Sequence, residues 1–264
     1  MRGGLATHPR RNKKAAHRTN RKNKPDGSTN ISTTAKSRKT RLWKRNILNL
    51  ATWNIGTWSG KDQEIILEMN HRKIHICALS ETKKKGSGTT RVEDYILAYS
   101  GKPKNERAIA GVGLLIHEKY ANNIDNIIYF NERILQVTLK FPDAIWCILS
   151  VYAPDISKPK AMREEFYEDL QNIIDKSPKD AKLIIMGDMN ARIGSSIIPG
   201  IKQRFNEDHM NENGYLLNSL CTTNSLRINN TFFKHKEQHK ITWSNSRCQQ
   251  SIIDYIITNR NIHP

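Results

Sequence analysis

From Asn46 onward, short apolar runs alternate with polar loops, the pattern of a layered α/β domain and not of a repeat array. Runs of strand length cover residues 47–55, 74–80, 111–117, 134–141, 145–152, 183–187, 226–229, 241–244 and 252–258. Helical spacing predicts three helices, through Ile65, Ile66 and Met69, through Phe166, Leu170, Ile173 and Ile174, and through Tyr215, Leu216, Ser219 and Leu220. Pro154 and Pro159 open the second of these and Pro178 closes it. Stretches 83–90 and 194–213 are rich in Gly, Ser, Asn and charge and read as long loops, which in a compact domain are often functional.

Composition fits this picture and adds a tail. The 264 residues, 37% apolar, suffice for one sizeable α/β domain. Of the net charge of +18, about +14 falls in residues 1–45, where 15 Lys and Arg face one acid, Asp26. A stretch so charged and so poor in apolar residues cannot offset its ordering entropy, so residues 1–45 are expected to be a disordered basic tail and 46–264 the folded domain. Arg10, Arg11, Lys13 and Lys14 suit phosphate contact or a nuclear signal, and a merely solvated tail fits equally well. Cys77, Cys147, Cys221 and Cys248 form no Cys-x-x-Cys pair, which points to buried thiols in a reducing compartment. The amino terminus lacks an apolar signal core, and the longest mostly apolar run, residues 144–153, falls short of the ~20 residues of a membrane span. A soluble, intracellular protein is the expectation.

The candidate chemistry sits where strands end. Thr52-Trp53-Asn54, Ser80-Glu81-Thr82-Lys83, Tyr152-Ala153-Pro154, Gly187-Asp188-Met189-Asn190 and Ile253-Asp254-Tyr255 each place polar groups where a buried strand normally meets a bland turn. Any one of these carboxylates reads equally as a turn or cap residue. Together they form the kind of set from which layered α/β proteins build sites.

In this order, Trp-Asn, Glu-Thr-Lys, Val-Tyr-Ala-Pro, Gly-Asp-Met-Asn-Ala, Thr-Trp and Ile-Asp-Tyr resemble the motifs of the endonuclease/exonuclease/phosphatase family, which includes apurinic endonucleases and pancreatic deoxyribonuclease. The likeness runs from about Leu50 to Ile257. It is similar above all to the endonuclease domain of non-long-terminal-repeat retrotransposons and its craniofacial development protein 2-like relatives. The stretches Asn211-Glu212-Asn213-Gly214 and Asn230-Thr231-Phe232-Phe233 share that wording and, with the tail, favour nucleic acid over the inositol phosphates or sphingolipids of other family members.

The resemblance implies a four-layer α/β sandwich, two packed mixed β-sheets flanked by helices. It implies a metal-dependent phosphodiesterase acting on DNA as a monomer without a small-molecule cofactor, and a nuclear location. Glu81, with Asn54 beside it, matches the metal site. A hard oxygen ligand there suits Mg²⁺, which takes one or two carboxylates and keeps most of its waters, and Mn²⁺ is an acceptable substitute. Asp188 matches the aspartate that orients or deprotonates the attacking water, Asn190 the amide on a phosphate oxygen, and Tyr152 the hydroxyl that reaches the phosphate. If residues 188–190 continue the strand, positions two apart face one side and both polar groups reach one site. Lys83 matches the lysine that positions the glutamate. Thr242 and Trp243 match a pair lining the nucleotide pocket, where a ring can stack on a base, although a core position suits Trp243 as well. Asp254 matches the aspartate that orients a catalytic histidine in a later Ser-Asp-His strand. That motif is absent from these residues, His263 is too near Asp254 in sequence to replace it, and His235 and His239 lie in a basic loop. The expectation is therefore a fold short of its last strand, with weak or no turnover but retained DNA binding.

Overall fold

The computed structural model describes residues 48–260 and residue 262; the expected tail, with Arg10, Arg11, Lys13 and Lys14, and also His263 lie outside the described residues. In chain order the elements are β1 (Leu50–Asn54), α1 (Asp62–His71), β2 (Ile76–Ser80), β3 (Ser87–Val92), β4 (Tyr95–Ser100), β5 (Val112–His117), β6 (Ile124–Asn131), β7 (Ile134–Lys140), β8 (Ile145–Tyr152), α2 (Lys160–Lys176), β9 (Lys182–Asp188), α3 (Glu212–Thr223), β10 (Arg227–Ile228), β11 (Trp243–Ser244), β12 (Gln250–Ser251) and β13 (Asp254–Thr258).

Two mixed sheets form, one in the order β1-β2-β5-β4-β3 and the other β10-β13-β9-β8-β7-β6, with β11 and β12 as a separate hairpin. The parallel pairs are β1 with β2 and β8 with β9. Three apolar clusters lie between four layers. Ile65, Ile66 and Met69 of α1 pack with Cys77, Leu79, Leu97 and Leu115 of the first sheet. Ile76, Ala78, Leu114 and Ile116 meet Ile148, Ile184 and Met186 of the second sheet. Phe166, Leu170 and Ile173 of α2, with Leu217 and Leu220 of α3, cover Cys147, Leu149, Leu183 and Ile185 on its far side.

Alternate residues of β2, β8 and β9 thus enter different clusters. Both faces of these strands are buried, which is why their sequences read as unbroken apolar runs.

Most differences from the sequence reading fall where that double burial is missing; β4 is the exception. Strand β3 takes up the second half of the stretch read as loop 83–90; it is a sheet edge, largely exposed and polar, and carries no apolar period. Strand β6, an edge of the second sheet, alternates partly buried and exposed positions around Asp125 and Asn126, and it too was not expected as a strand. Strand β4 is largely buried, and its run Tyr95–Ser100 was also absent from the expected set. The 241–244 run shortens to the two residues of β11.

Helix α3 buries Asn213, Gly214, Leu217, Leu220 and Cys221, so its inner face is rotated from the expected one and Tyr215 is exposed. The added face was hidden in the sequence by a polar asparagine and a glycine. A Cβ on Gly214 would lie 1.9 Å from the Arg192 carbonyl oxygen, so the helix start packs against backbone and glycine is required there. Cys77, Cys147 and Cys221 are buried as expected, whereas Cys248 is exposed. No helix among the described residues is long and apolar enough to cross a membrane.

Candidate active site at the strand ends

Strands β1, β2, β8, β9 and β13 bring their polar ends together. Register places Asn54 beside Ser80, Tyr152 beside Asp188, and Asp254 on the other side of Asp188. Asn54 and Glu81 come from the first sheet and the other three from the second, so the cleft spans the mouth of the sandwich. The Asn54 side-chain amide donates from one nitrogen to Glu81 Oε1 and to Asp188 Oδ2, 2.9 Å each, while its oxygen accepts from the Gly56 amide at 3.1 Å. Lys83 Nζ stands 3.5 Å from Glu81 Oε2. Burial, followed by the charges of Glu81 and Asp188, raises the pKa of the Tyr152 hydroxyl so that it stays protonated.

The backbone is unusual here. Glu81, Lys83 and Asn190 have φ of 54°, 51° and 45°, the left-handed region that non-glycine residues seldom adopt. Such conformations persist where surrounding structure holds them, and they gather at functional sites. At Asn190 the holding groups are visible. Its amide N–H donates to Asp188 Oδ1 at 2.9 Å and its side-chain amide to the Ala153 carbonyl at 2.8 Å. Its own carbonyl accepts from Asn211 Nδ2 at 3.2 Å and Asn213 Nδ2 at 3.1 Å.

Asp188 and Asp254 are 2% and 6% exposed. Burial pushes Asp188 up to about 6, against the hydrogen bonds from Asn190 and Asn54 and with the Glu81 charge adding to the rise. Burial and the Asp188 charge push Asp254 up to about 7, opposed by a hydrogen bond from Thr242. Asp254 Oδ1 is buried and has no hydrogen-bond partner among the described residues.

The chain resembles known proteins over most of its length. A family model described as Endonuclease-reverse transcriptase matches residues 146–264. Craniofacial development protein 2 of Bos taurus is 33% identical over 210 residues, 79% of this chain and 35% of that protein, so the chain spans about a third of the length of the curated relatives it matches. The endonuclease domain of TRAS1, a telomere-specific non-LTR retrotransposon, superposes with a TM-score of 0.53 at 17% identity, covering 81% of this chain and 86% of that domain. The 3′ phosphatase NExo from Neisseria, solved with a product DNA hairpin, superposes with a TM-score of 0.57 at 13% identity, covering 81% of this chain and 87% of the other. Residues 146–264 thus resemble the endonuclease-reverse transcriptase family, and the fold is shared with the solved endonuclease and phosphatase structures.

Of the positions expected from the superfamily motifs, Asn54, Glu81, Lys83, Tyr152, Asp188, Asn190 and Asp254 come together. One step of the sequence argument is corrected. Asn190 does not share a face with Asp188 through strand alternation, because β9 ends at Asp188 and the left-handed turn sets the direction. Its amide is also engaged by Ala153, so it serves the turn as built.

Thr242 supports Asp254 from the side: its oxygen accepts from the Ile253 and Asp254 amides at 3.0 and 3.3 Å. Trp243 sits on the β11–β12 hairpin, 40% exposed, and is no core residue. His235 and His239 are exposed and belong to no metal cluster. The sequence reading missed Arg133, whose guanidinium lies 5.2 Å over the Tyr152 ring and donates to the Tyr152 carbonyl at 3.1 Å. No motif marked it, since it comes from the β6–β7 turn.

Among the described residues, no group of three or more His, Cys, Asp or Glu is placed to hold a metal. Two carboxylates do converge: Glu81 Oε1 and Asp188 Oδ2 face the same amide nitrogen. That donor set is too sparse for a closed cage of protein ligands. It fits a hydrated hard cation such as Mg²⁺, which needs one or two carboxylates.

Proposed function

We propose that the chain is a Mg²⁺-dependent phosphodiesterase that nicks DNA, and that Mn²⁺ substitutes for Mg²⁺. The observation that carries this reading is the joining of Glu81 and Asp188 through Asn54 at the meeting of two sheets, with Asp254 against the far side of Asp188. Glu81, with Asn54 beside it, would hold the ion, which when bound supplies positive charge against the phosphate and the departing oxygen.

The remaining work falls to the chain. Asp188, poised by burial near neutral pH, orients a water and takes its proton as the water oxygen bonds to phosphorus and the P–O bond to the leaving oxygen breaks. The Tyr152 hydroxyl, kept protonated, donates toward a phosphate oxygen in the same cleft. Asn190 fixes the Asp188 carboxylate through its amide. Lys83 steadies Glu81. The DNA hairpin bound by NExo and the retrotransposon origin of TRAS1 support DNA as the substrate.

The buried Asp254 Oδ1, without a hydrogen-bond partner among the described residues, favours a second reading, a DNA-binding chain with slow turnover, because a carboxylate that orients no other group adds nothing to proton transfer. Supercoiled plasmid separates the two. Nicking that requires Mg²⁺, stops with EDTA and is lost in Glu81→Gln establishes the enzyme. Plasmid that is retarded but stays supercoiled with Mg²⁺ establishes the slow-turnover reading, and plasmid neither bound nor cut rejects both.

A further inference from the structure

Two loops beside Glu81 carry cations that, Lys83 apart, the cleavage chemistry does not use. Residues 83–85 are three consecutive lysines, and Lys102, Lys104 and Arg107 follow on the β4–β5 connection. Register sets both loops at the same end of the first sheet, since Ser80 and Ser100 each lie beside Val112 and Ser87 lies beside Ser100. The loops are bound to each other. Gly86 N–H donates to the Lys102 carbonyl at 2.7 Å, Gly101 N–H to the Gly86 carbonyl at 2.9 Å, and Lys85 Nζ to the Lys104 carbonyl at 3.1 Å. A Cβ on Gly101 would lie 1.8 Å from the Lys84 carbonyl oxygen, so only glycine permits this approach. Lys84 Nζ lies 4.4 Å over the Tyr99 ring.

The charge on this rigid unit is not neutralised. Lys83 stands by Glu81, and Lys102 holds Glu106 and also Glu132 of the β6–β7 turn. No carboxylate is within ion-pair distance of Lys84, Lys85, Lys104 or Arg107 among the described residues, and Lys85, Lys104 and Arg107 are exposed. Cations fixed close together repel one another, and a polyanion laid across them relieves that repulsion while releasing its own counterions.

We propose that loops 81–86 and 101–111 form a rigid cationic platform on which the phosphate backbone of a DNA duplex lies as it leaves the Glu81 cleft. The proposal rests on the nuclease reading. It adds where the backbone runs and which side chains carry it.

The test measures affinity of the full chain for a short DNA duplex against salt concentration, in EDTA. The triple variant Lys85→Gln, Lys104→Gln, Arg107→Gln removes three phosphate contacts, so the slope of log affinity against log salt should flatten by roughly 2 to 3. A control removes equal charge at the opposite ends of the strands, with Lys73→Gln, Lys140→Gln and Lys179→Gln, all exposed. It should keep the original slope. An unchanged slope in the platform variant, or equal flattening in the control, overturns the platform. Glu81→Gln keeps the platform and should keep the slope while losing nicking, so the platform and the nuclease reading fail on different measurements. A chain that binds no duplex at all overturns both.

Discussion

At the scale of single residues, the site is a set of charges whose protonation is governed by burial. Glu81 is more exposed than the buried Asp188 and Asp254, so on the proposed reading it meets a hydrated cation first, and a neutral amide is a poor ligand for a hard ion. Glu81→Gln should therefore lower Mg²⁺-dependent nicking by at least ~100-fold and abolish Mg²⁺-dependent stabilisation in thermal melts. Equal Mg²⁺ shifts in both proteins would reject Glu81 as a ligand.

Asp254 gives a prediction without metal. Its folded pKa is raised, so the folded state resists ionising it; stability is greatest below the unfolded carboxylate pKa and falls as pH rises through the folded one. Asp254→Asn removes that penalty. In EDTA it should raise stability at pH 8 by on the order of 1–4 kcal/mol, and the gain should vanish near pH 4. Urea unfolding at the two pH values measures it, and a gain that is the same at both rejects the assignment.

Glu81 and Asp188 were legible in the sequence because each ends an apolar run, and Asp254 because it interrupts one. Their geometry was not, since the left-handed φ at Glu81, Lys83 and Asn190 belongs to residue types with no glycine signature. Arg133 was illegible for a different reason: only the pairing of β6 with β7 and of β7 with β8 delivers its turn to Tyr152.

At the scale of elements, the site depends on the turn after β9. Gly187 has φ of 152° and a Cβ there would lie 1.9 Å from the Val151 carbonyl oxygen, so β8 and β9 close tightly just before Asp188. Beyond the turn, Asn211 caps α3 through the Gly214 amide at 2.8 Å and also holds the Arg192 amide at 3.0 Å. Buried Asn213 donates to the Pro154 carbonyl at 2.8 Å as well as to Asn190. The first turn of α3 therefore clamps the Asp188–Asn190 turn. Asn213→Ala removes the donor to the buried Pro154 carbonyl and leaves the Asn190 carbonyl with Asn211 alone, which should cost roughly 1–3 kcal/mol. Because the clamp acts on Asp188 and not on substrate, kcat for nicking should fall at temperatures where the protein remains folded, with KM little changed. A variant whose only defect is a lower Tm would show that the clamp is structural and nothing more.

Strands buried on both faces, such as β2, β8 and β9, were plain in the sequence, whereas the edges β3 and β6 were not. An edge strand has polar positions wherever it meets water, and β3 has them almost throughout. The buried face of α3 was misplaced for a similar reason: its inner positions include Asn213, present for hydrogen bonding, and Gly214, present for clearance.

At the scale of the whole molecule, charge is divided unequally. About +14 of the +18 lies in residues 1–45, and the +4 left on the rest includes the cations of the two loops beside Glu81. On the proposed DNA reading, these two sets of cations would act differently. The loop cations are fixed by backbone hydrogen bonds next to the cleft, so they can direct a duplex across Glu81. Runs such as Arg10-Arg11-Asn12-Lys13-Lys14 would add attraction by charge alone, which raises affinity for any DNA alike. Neutralising the tail run with Arg10→Gln, Arg11→Gln, Lys13→Gln and Lys14→Gln should flatten the salt slope by up to about 4. The ratio of affinities for different duplex sequences should stay as it was. Combined with the loop variant, the losses should add, because contacts on separate phosphates release separate counterions. Salt titrations of the two variants and their combination check this. A tail variant with the original slope removes the tail from DNA contact, and a combined loss no larger than either alone would mean that both sets of cations meet the same phosphates.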